Sequence, residues 1–415
     1  MKFSKCCIII ILVFLLISCS DLINSGNSDH SVRKISSLTD YEKSLIKSSN
    51  KFSINLFENS LEYDKDNNIF ISPLSVSYAL GMAYNGAAGE TREVIGNVLQ
   101  IEDIDLAEFN SNYKSLIGLL KNIDQEVEME IANSVWYRQE FDIEKEFTDN
   151  LISYFDAQIS GLDFSTEESV DIINNWVSDK TNGKIESIVS SPIDPLTLMY
   201  LINAIYFKGL WSVSFDSSHT SRATFYKNDN TEIKCDMMQS VEKYEYLETD
   251  TFKAVNIYYG DNHYCLTAFL PINNNDISTI TEQLTSDNLN NWSNQFKQSE
   301  LILNFPKLKF SYNVNFNEIL KNIGMSQAFD PGLADFSNIV PLNGLFIQNV
   351  IHKSFIELDE TGTEAAAVTS ISIGLTSNEP TPKQFNANHP FLFLIREVES
   401  NTILFTGAIF EPVWE

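Results

Sequence analysis

Positive charge is scarce in this chain. Its 415 residues carry 28 Lys and Arg against 56 Asp and Glu, for a net charge of −28 at pH 7. Such a body repels phosphate backbones and sulfated sugars, so nucleic acid is a poor partner. No basic helix face offers a heparin-type site either. Cysteine is also sparse, with Cys6, Cys7 and Cys19 near the start and only Cys235 and Cys265 beyond. No Cys-x-x-Cys or metal-like spacing occurs, so no structural metal is expected. Cys235 and Cys265 are expected as two buried free thiols, although export would permit them to pair. Catalytic motifs are missing as well: no Gly-x-Ser-x-Gly, His-Glu-x-x-His, Walker or dinucleotide pattern is present. Ser44-Leu-Ile-Lys47 and Ser48-Ser-Asn-Lys51 have the Ser-x-x-Lys form without supporting motifs, and read as helix surface. Neither an enzyme nor a cofactor is expected. Internal repeats and linkers beyond residue 40 are lacking too.

What is present suits a folded body. Hydrophobic residues make up 43% and aromatic residues 12%, which argues against long disorder. The length is ample for a large core or for two domains. Lys2 and Lys5 precede a ten-residue apolar run, Ile8 to Ile17, followed by Ser18 and Cys19. That run is short for a membrane span, and its order of regions is that of a secretory leader. Leu16-Ile17-Ser18-Cys19 resembles a bacterial lipobox, in which Cys19 would be lipidated. The expected layout is a lipoprotein leader over 1–18, a lipidated flexible tether over 19–40 and a single domain over 41–415. The protein would then be exported and held at the cell envelope or surface, outside the cytoplasm, touching the membrane only through Cys19.

Along the body, Tyr41 to Asn59 has the apolar spacing of an amphipathic helix. Asp64 to Asn68 starts like a calcium loop but has Ile69 where the glycine belongs, and reads as a solvated turn. Ser72 followed by Pro73 is a helix start, and the helix to Asn85 is apolar nearly all round. Strands are expected over Ile131–Tyr137 and Leu196–Phe207, the latter carrying one polar residue, Asn203, that must find partners. Leu301 to Tyr312 alternates late on, Asn315 and Glu318 suit a helix-opening box, and Leu345 to Ile356 is another strand-like run. Pro390–Ile395 and Thr402–Phe410 suit a buried hairpin. Of five histidines, His30 falls in the tether, His219 and His263 in turns, and His389 before Pro390. His352 alone sits in an apolar strand, as a satisfied core residue or as a catalytic group of a new enzyme.

The run Glu357-Leu-Asp-Glu-Thr-Gly-Thr-Glu-Ala-Ala-Ala-Val-Thr-Ser-Ile-Ser-Ile-Gly-Leu-Thr-Ser377 reads as two things at once. Ile371, Ile373 and Leu375 alternate with Ser370, Ser372 and Gly374 as in a half-buried strand. Pro380 and Pro382 then mark an exposed loop.

Glu360-Thr-Gly-Thr-Glu-Ala-Ala-Ala367 resembles the hinge of a serpin reactive-centre loop. Asn68-Ile-Phe-Ile-Ser-Pro-Leu-Ser75, Ile173 to Ile185, Asn203-Ala-Ile-Tyr-Phe-Lys-Gly-Leu-Trp211, Gly324 to Ser337 and Phe385-Asn-Ala-Asn-His-Pro390 resemble further serpin segments. The resemblance covers about Tyr41 to Glu415. It implies an α+β fold with three β-sheets, eight or nine helices and an exposed loop over about 360–384. It also implies a suicide-type protease inhibitor, in which the cut loop enters the main sheet and drags the acylated protease with it. By this resemblance Glu360, Gly362, Thr363, Glu364, Ala365, Ala366 and Ala367 form the hinge. Ser72, Ser75, Asn203 and His352 form the shutter that holds the sheet closed, and Trp211 marks the breach. Alignment places the reactive bond at Thr376–Ser377, with Gly374 and Leu375 as specificity neighbours. Small, β-branched Thr376 suits elastase- or subtilisin-like serine proteases, and Leu375 suits a papain-like cysteine protease. A monomer is expected. The alternative is a non-inhibitory member acting as carrier, chaperone or structural surface protein, though such members usually carry bulky, charged or proline residues in the hinge.

Overall fold

The computed structural model describes residues 38–101, 104–273, 276–342, 344–363 and 382–415. Helix α1 (Asp40–Tyr63) opens on Thr39, whose hydroxyl accepts from Glu42 N–H at 3.1 Å while the Glu42 carboxylate accepts from Thr39 N–H at 2.8 Å. This reciprocal cap satisfies two donors that a helix start leaves free. Strand β1 (Ile69–Ile71) leads into α2 (Pro73–Gly86), capped by Ser72 with Pro73 in the first turn. Then follow α3 (Gly89–Val98), α4 (Leu106–Asn122), β2 (Val127–Arg138), α5 (Lys145–Phe155), β3 (Gln158–Leu162), α6 (Glu167–Lys180) and β4 (Met199–Leu210).

The middle of the chain is largely strand: β5 (Ser221–Tyr226), β6 (Glu232–Glu248), β7 (Phe252–Tyr259) and β8 (Tyr264–Pro271). Two short helices, α7 (Ile277–Thr281) and α8 (Ser286–Ser293), precede β9 (Lys297–Pro306) and β10 (Leu308–Asn315). After α9 (Asn317–Leu320) come β11 (Ile351–Leu358), the two-residue β12 (Gly362–Thr363), β13 (Lys383–Asn386), β14 (Phe391–Glu397) and β15 (Ile403–Ile409).

The strands form two sheets. One runs β10-β11-β12-β4-β2-β3, and the other β1-β15-β14-β8-β7-β6-β9-β13, with β5 on β6. The third sheet expected from the resemblance is continuous with the second because β6 is long. Glu232–Met237 pair with β5, Met237–Tyr246 with β9, and Glu245–Glu248 with β7. Every residue of β8, β14 and β15 is buried, so these strands are covered on both faces. Helix α2 touches β4 of one sheet and β15 of the other, which explains why its apolar residues wrap its whole circumference. A smaller core of Trp136, Ile173, Trp176, Val177 and Ile202 lies under α6. Among the described residues no helix is long and apolar enough to cross a membrane.

Two stretches depart from the sequence reading. Leu345 to Val350 is not strand, since its backbone groups are already taken: Ile347 N–H by Ala328 O, and Val350 N–H by the Asn317 side chain. Asn315 caps differently as well, accepting from Asn317 N–H at 2.9 Å, while Glu318 pairs with Lys321 at 2.8 Å.

Candidate functional site

Strand β12 is the centre of the site. It pairs antiparallel with β4 on one side (Gly362 opposite Leu210, Thr363 opposite Gly209) and with β11 on the other (Leu358 opposite Thr363). Among the described residues it is the one strand that links β4 and β11, and no pairing joins those two directly. Two cavities lie along the line between them. The one nearer β12, of about 20 Å³, is bounded by Ile205 and Phe207 of β4, by Phe355 of β11 and by Thr363. The other, of about 150 Å³, is lined by Asn203 of β4, His352 of β11 and Ser75 of α2.

The turn into β12 is built by Asp359, whose carboxylate accepts from Thr361 N–H at 2.9 Å and Thr361 Oγ1 at 2.8 Å. Gly362 follows with φ of +152°, where a Cβ would come within 2.2 Å of Gly209 O and 2.6 Å of Leu210 Cα. Only glycine lets the backbone approach β4 so closely. Thr363 is buried, and its hydroxyl lies 2.9 Å from Tyr259 Oη. Burial drives the Tyr259 phenol far above its ordinary pKa, so it remains a neutral partner.

Trp211 stacks on Tyr259 with ring centres 4.4 Å apart. Its Nε1–H donates to Asp359 O and its backbone N–H to Thr361 O, both at 2.9 Å. Glu360 closes this end: its carbonyl accepts from Phe215 N–H at 2.8 Å, and its carboxylate from Lys307 Nζ at 2.8 Å and Thr220 Oγ1 at 2.7 Å. Burial alone would raise the Glu360 pKa, but the Lys307 ammonium and the Thr220 hydroxyl outweigh it and hold the carboxyl below its ordinary value.

At the lower cavity the first turn of α2 bridges both strands. Ser72 N–H donates to His352 Nε2 of β11 at 3.1 Å, and Ser75 Oγ donates to Asn203 Oδ1 of β4. Ser72 Oγ donates to Leu404 O at 2.8 Å while accepting from Ser75 N–H at 3.2 Å. Because Nε2 accepts, the imidazole proton sits on Nδ1. Burial lowers the His352 pKa to about 4, so the ring is neutral at physiological pH.

Glu360, Gly362 and Thr363, expected at a hinge, Trp211, expected at a breach, and Ser72, Ser75, Asn203 and His352, expected at a shutter, are therefore brought together along one line between β4 and β11. Glu364, Ala365, Ala366, Ala367, Gly374, Leu375, Thr376, Ser377 and Cys19 lie outside the described residues. Three participants escaped the sequence reading. Asn133 stands opposite Asn203 in the β2–β4 register, accepts from Asn203 Nδ2 at 2.6 Å and donates to Phe155 O at 2.6 Å. Ser354 donates to Phe70 O, fixing β11 to β1. Lys307 is the third. A lone Asn in an apolar strand was the available signal for Asn133. Among the described residues no group of three or more His, Cys, Asp and Glu side chains is placed to hold a metal.

Comparison with known proteins agrees with this geometry. The family model described as Serpin (serine protease inhibitor) matches residues 47–412. Iripin-1 of Ixodes ricinus is 34% identical over 367 residues, covering 87% of this chain and 93% of its own. The native-state structure of the thermophilic serpin tengpin superposes with a TM-score of 0.81 at 33% identity, covering 89% of this chain and 94% of its own. Human thyroxine-binding globulin, solved with thyroxine bound, superposes with a TM-score of 0.82 at 26% identity, covering 90% of this chain and 100% of its own.

Proposed function

The chain belongs to the serpin family, and from that membership we propose that it is an inhibitory serpin whose loop is cut at Thr376–Ser377. The observation that carries this reading is β12. Gly362–Thr363 already runs antiparallel between β4 and β11, which gives the following residues a lane and a direction. Nineteen residues, 364–382, separate β12 from β13, which lies in the other sheet.

In the proposed reaction the protease's nucleophile attacks the Thr376 carbonyl. An acyl bond to the enzyme forms, the Thr376–Ser377 amide breaks, and the Ser377 amine leaves with a proton. Thr363, Ala365, Ala367, Thr369, Ile371, Ile373 and Leu375 alternate toward the core on insertion, and all are uncharged. About a dozen new backbone hydrogen bonds at ~1 kcal/mol each, with three aliphatic burials at ~2 kcal/mol each, give on the order of 10–20 kcal/mol. A typical protease fold is stable by ~5–15 kcal/mol, so distorting the captured enzyme is energetically within reach. The targets that fit Thr376 are elastase- or subtilisin-like serine proteases, with papain-like cysteine proteases served by Leu375.

Incubation with elastase, subtilisin, chymotrypsin and a cathepsin-type protease tests the reading. An SDS-resistant complex with a released peptide beginning at Ser377 is expected. Cleavage without any complex would instead favour a carrier or structural role, since thyroxine-binding globulin shows that this fold also hosts a bound small molecule. We further propose that lipidated Cys19 anchors the protein at the cell envelope or cell surface, outside the cytoplasm. Partitioning into a detergent phase should be lost in Cys19→Ala, and unchanged partitioning would refute the anchor.

A further inference from the structure

The last residues of the chain lie against the edge of β10. Lys309 N–H donates to Val413 O at 2.7 Å, and Glu415 N–H donates to Lys309 O at 2.9 Å, a one-residue parallel bridge. It places the Trp414 indole beneath two ammonium groups, 4.5 Å from Lys307 Nζ and 5.8 Å from Lys309 Nζ. Lys307 occupies the corner between β9 and β10 and is the lysine that holds Glu360. Lys309 reaches Glu357 of β11 at 3.3 Å, which Lys184 also reaches at 3.3 Å.

We propose that Trp414 is a positioning residue for the hinge: by capping the Lys307 ammonium it holds that group on Glu360 and so restrains β12 at its present depth. The physical reason is twofold. An indole face attracts an ammonium and shields one side of it from water, which strengthens the ion pair on the other side. The flat ring also supports the lysine stem, so less side-chain freedom opposes the pair. The Glu360 side chain is 12% exposed and that of Lys307 20%. The inference rests on the reading of Glu360–Thr363 as the segment that moves.

Phe215 N–H reports the latch directly, because its acceptor is the Glu360 carbonyl. Amide hydrogen exchange in the full chain reads the opening equilibrium at that bond. The attraction of a half-exposed indole for an ammonium predicts about a two- to five-fold faster exchange of the Phe215 amide in Trp414→Ala, with partial recovery in Trp414→Phe. The Val255 amide in the middle of β7 should be unchanged. In a Lys307→Gln background, Trp414→Ala should add nothing. Unchanged exchange at Phe215, equal acceleration at Phe215 and Val255, or the same acceleration without Lys307 would each overturn the proposal. None of these measurements involves a protease. If the latch responds as expected while no protease forms a stable complex, the inhibitory reading fails and the role of Trp414 stands.

Discussion

Gly362 and His352 show how single residues set what this sheet can do. The Cβ of an alanine at 362 would meet Gly209 O and Leu210 Cα, and the backbone has φ of +152°. Gly362→Ala should therefore lower the unfolding free energy by about 1–3 kcal/mol or displace β12. Thermal unfolding together with tryptophan emission, sensitive to Trp211 losing Asp359, reads both outcomes; no change in either would refute the close approach. His352 contributes a pH dependence of definite sign. Its folded pKa, about 4, lies below the ordinary 6.5 because the ring is buried. The unfolded chain therefore gains a proton at a pH where the folded one cannot, and stability falls as pH drops from 6.5 toward 4. The expected loss is about 2 kcal/mol by pH 5. Glu360, whose folded pKa is lowered, adds a further loss only at more acidic pH. Denaturant midpoints at pH 7 and pH 5 should diverge in the wild type and converge in His352→Gln; an equal slope in both would exclude His352 as the titrating group.

At the scale of elements, the beginning of α2 acts as a clamp on a sheet it does not belong to. Ser72 bonds β11 through its backbone and β15 through its hydroxyl, while Ser75 bonds β4. Ser72→Ala removes the cap on Ser75 N–H and the donor to Leu404 O, a loss of about 2 kcal/mol measurable as a shift in denaturant midpoint. An unchanged midpoint would remove the Ser72 hydroxyl from the clamp. Ser72 was legible in the sequence because Ser-Pro before an apolar helix is a local signal, and Asn203 because a lone amide in a buried strand demands partners. The partners themselves were not, since Asn133 and Leu404 are set by strand register over 70 and 332 positions. The same limit hid the fusion of two expected sheets, which depends on how far β6 continues beyond each neighbour. It also hid the true start of β11, where distant Asn317 and Ala328 take backbone groups of an apolar run that otherwise looks like strand.

For the whole molecule, the arrangement of directions matters more than any contact. β12 is antiparallel to both β4 and β11, so those two strands run parallel to each other. A strand continuing from Thr363 between them would make two antiparallel ladders, the pairing that is slightly more stable per residue. Under the proposed insertion, the β4–β11 line would gain from a strand supplied by the chain itself, provided its core-facing residues are uncharged. Thr363 is the first of these, buried beside Tyr259. In Thr363→Arg the intact chain can keep the guanidinium out by unpairing the two-residue β12, whereas insertion would force it into that site, at a cost of several kcal/mol unless it is paired. The variant should still be cut at Thr376–Ser377 but form no SDS-resistant complex, behaving as a substrate. Nicking supplies a second readout that needs no complex. Wild-type protein nicked in the loop should unfold at a markedly higher temperature than intact protein, because the freed strand enters the sheet. Nicked Thr363→Arg should unfold close to its intact form. If the nicked variant were stabilised as fully as the nicked wild type, the strand would be entering without burying position 363, and insertion along the β4–β11 line in the β12 register would be refuted.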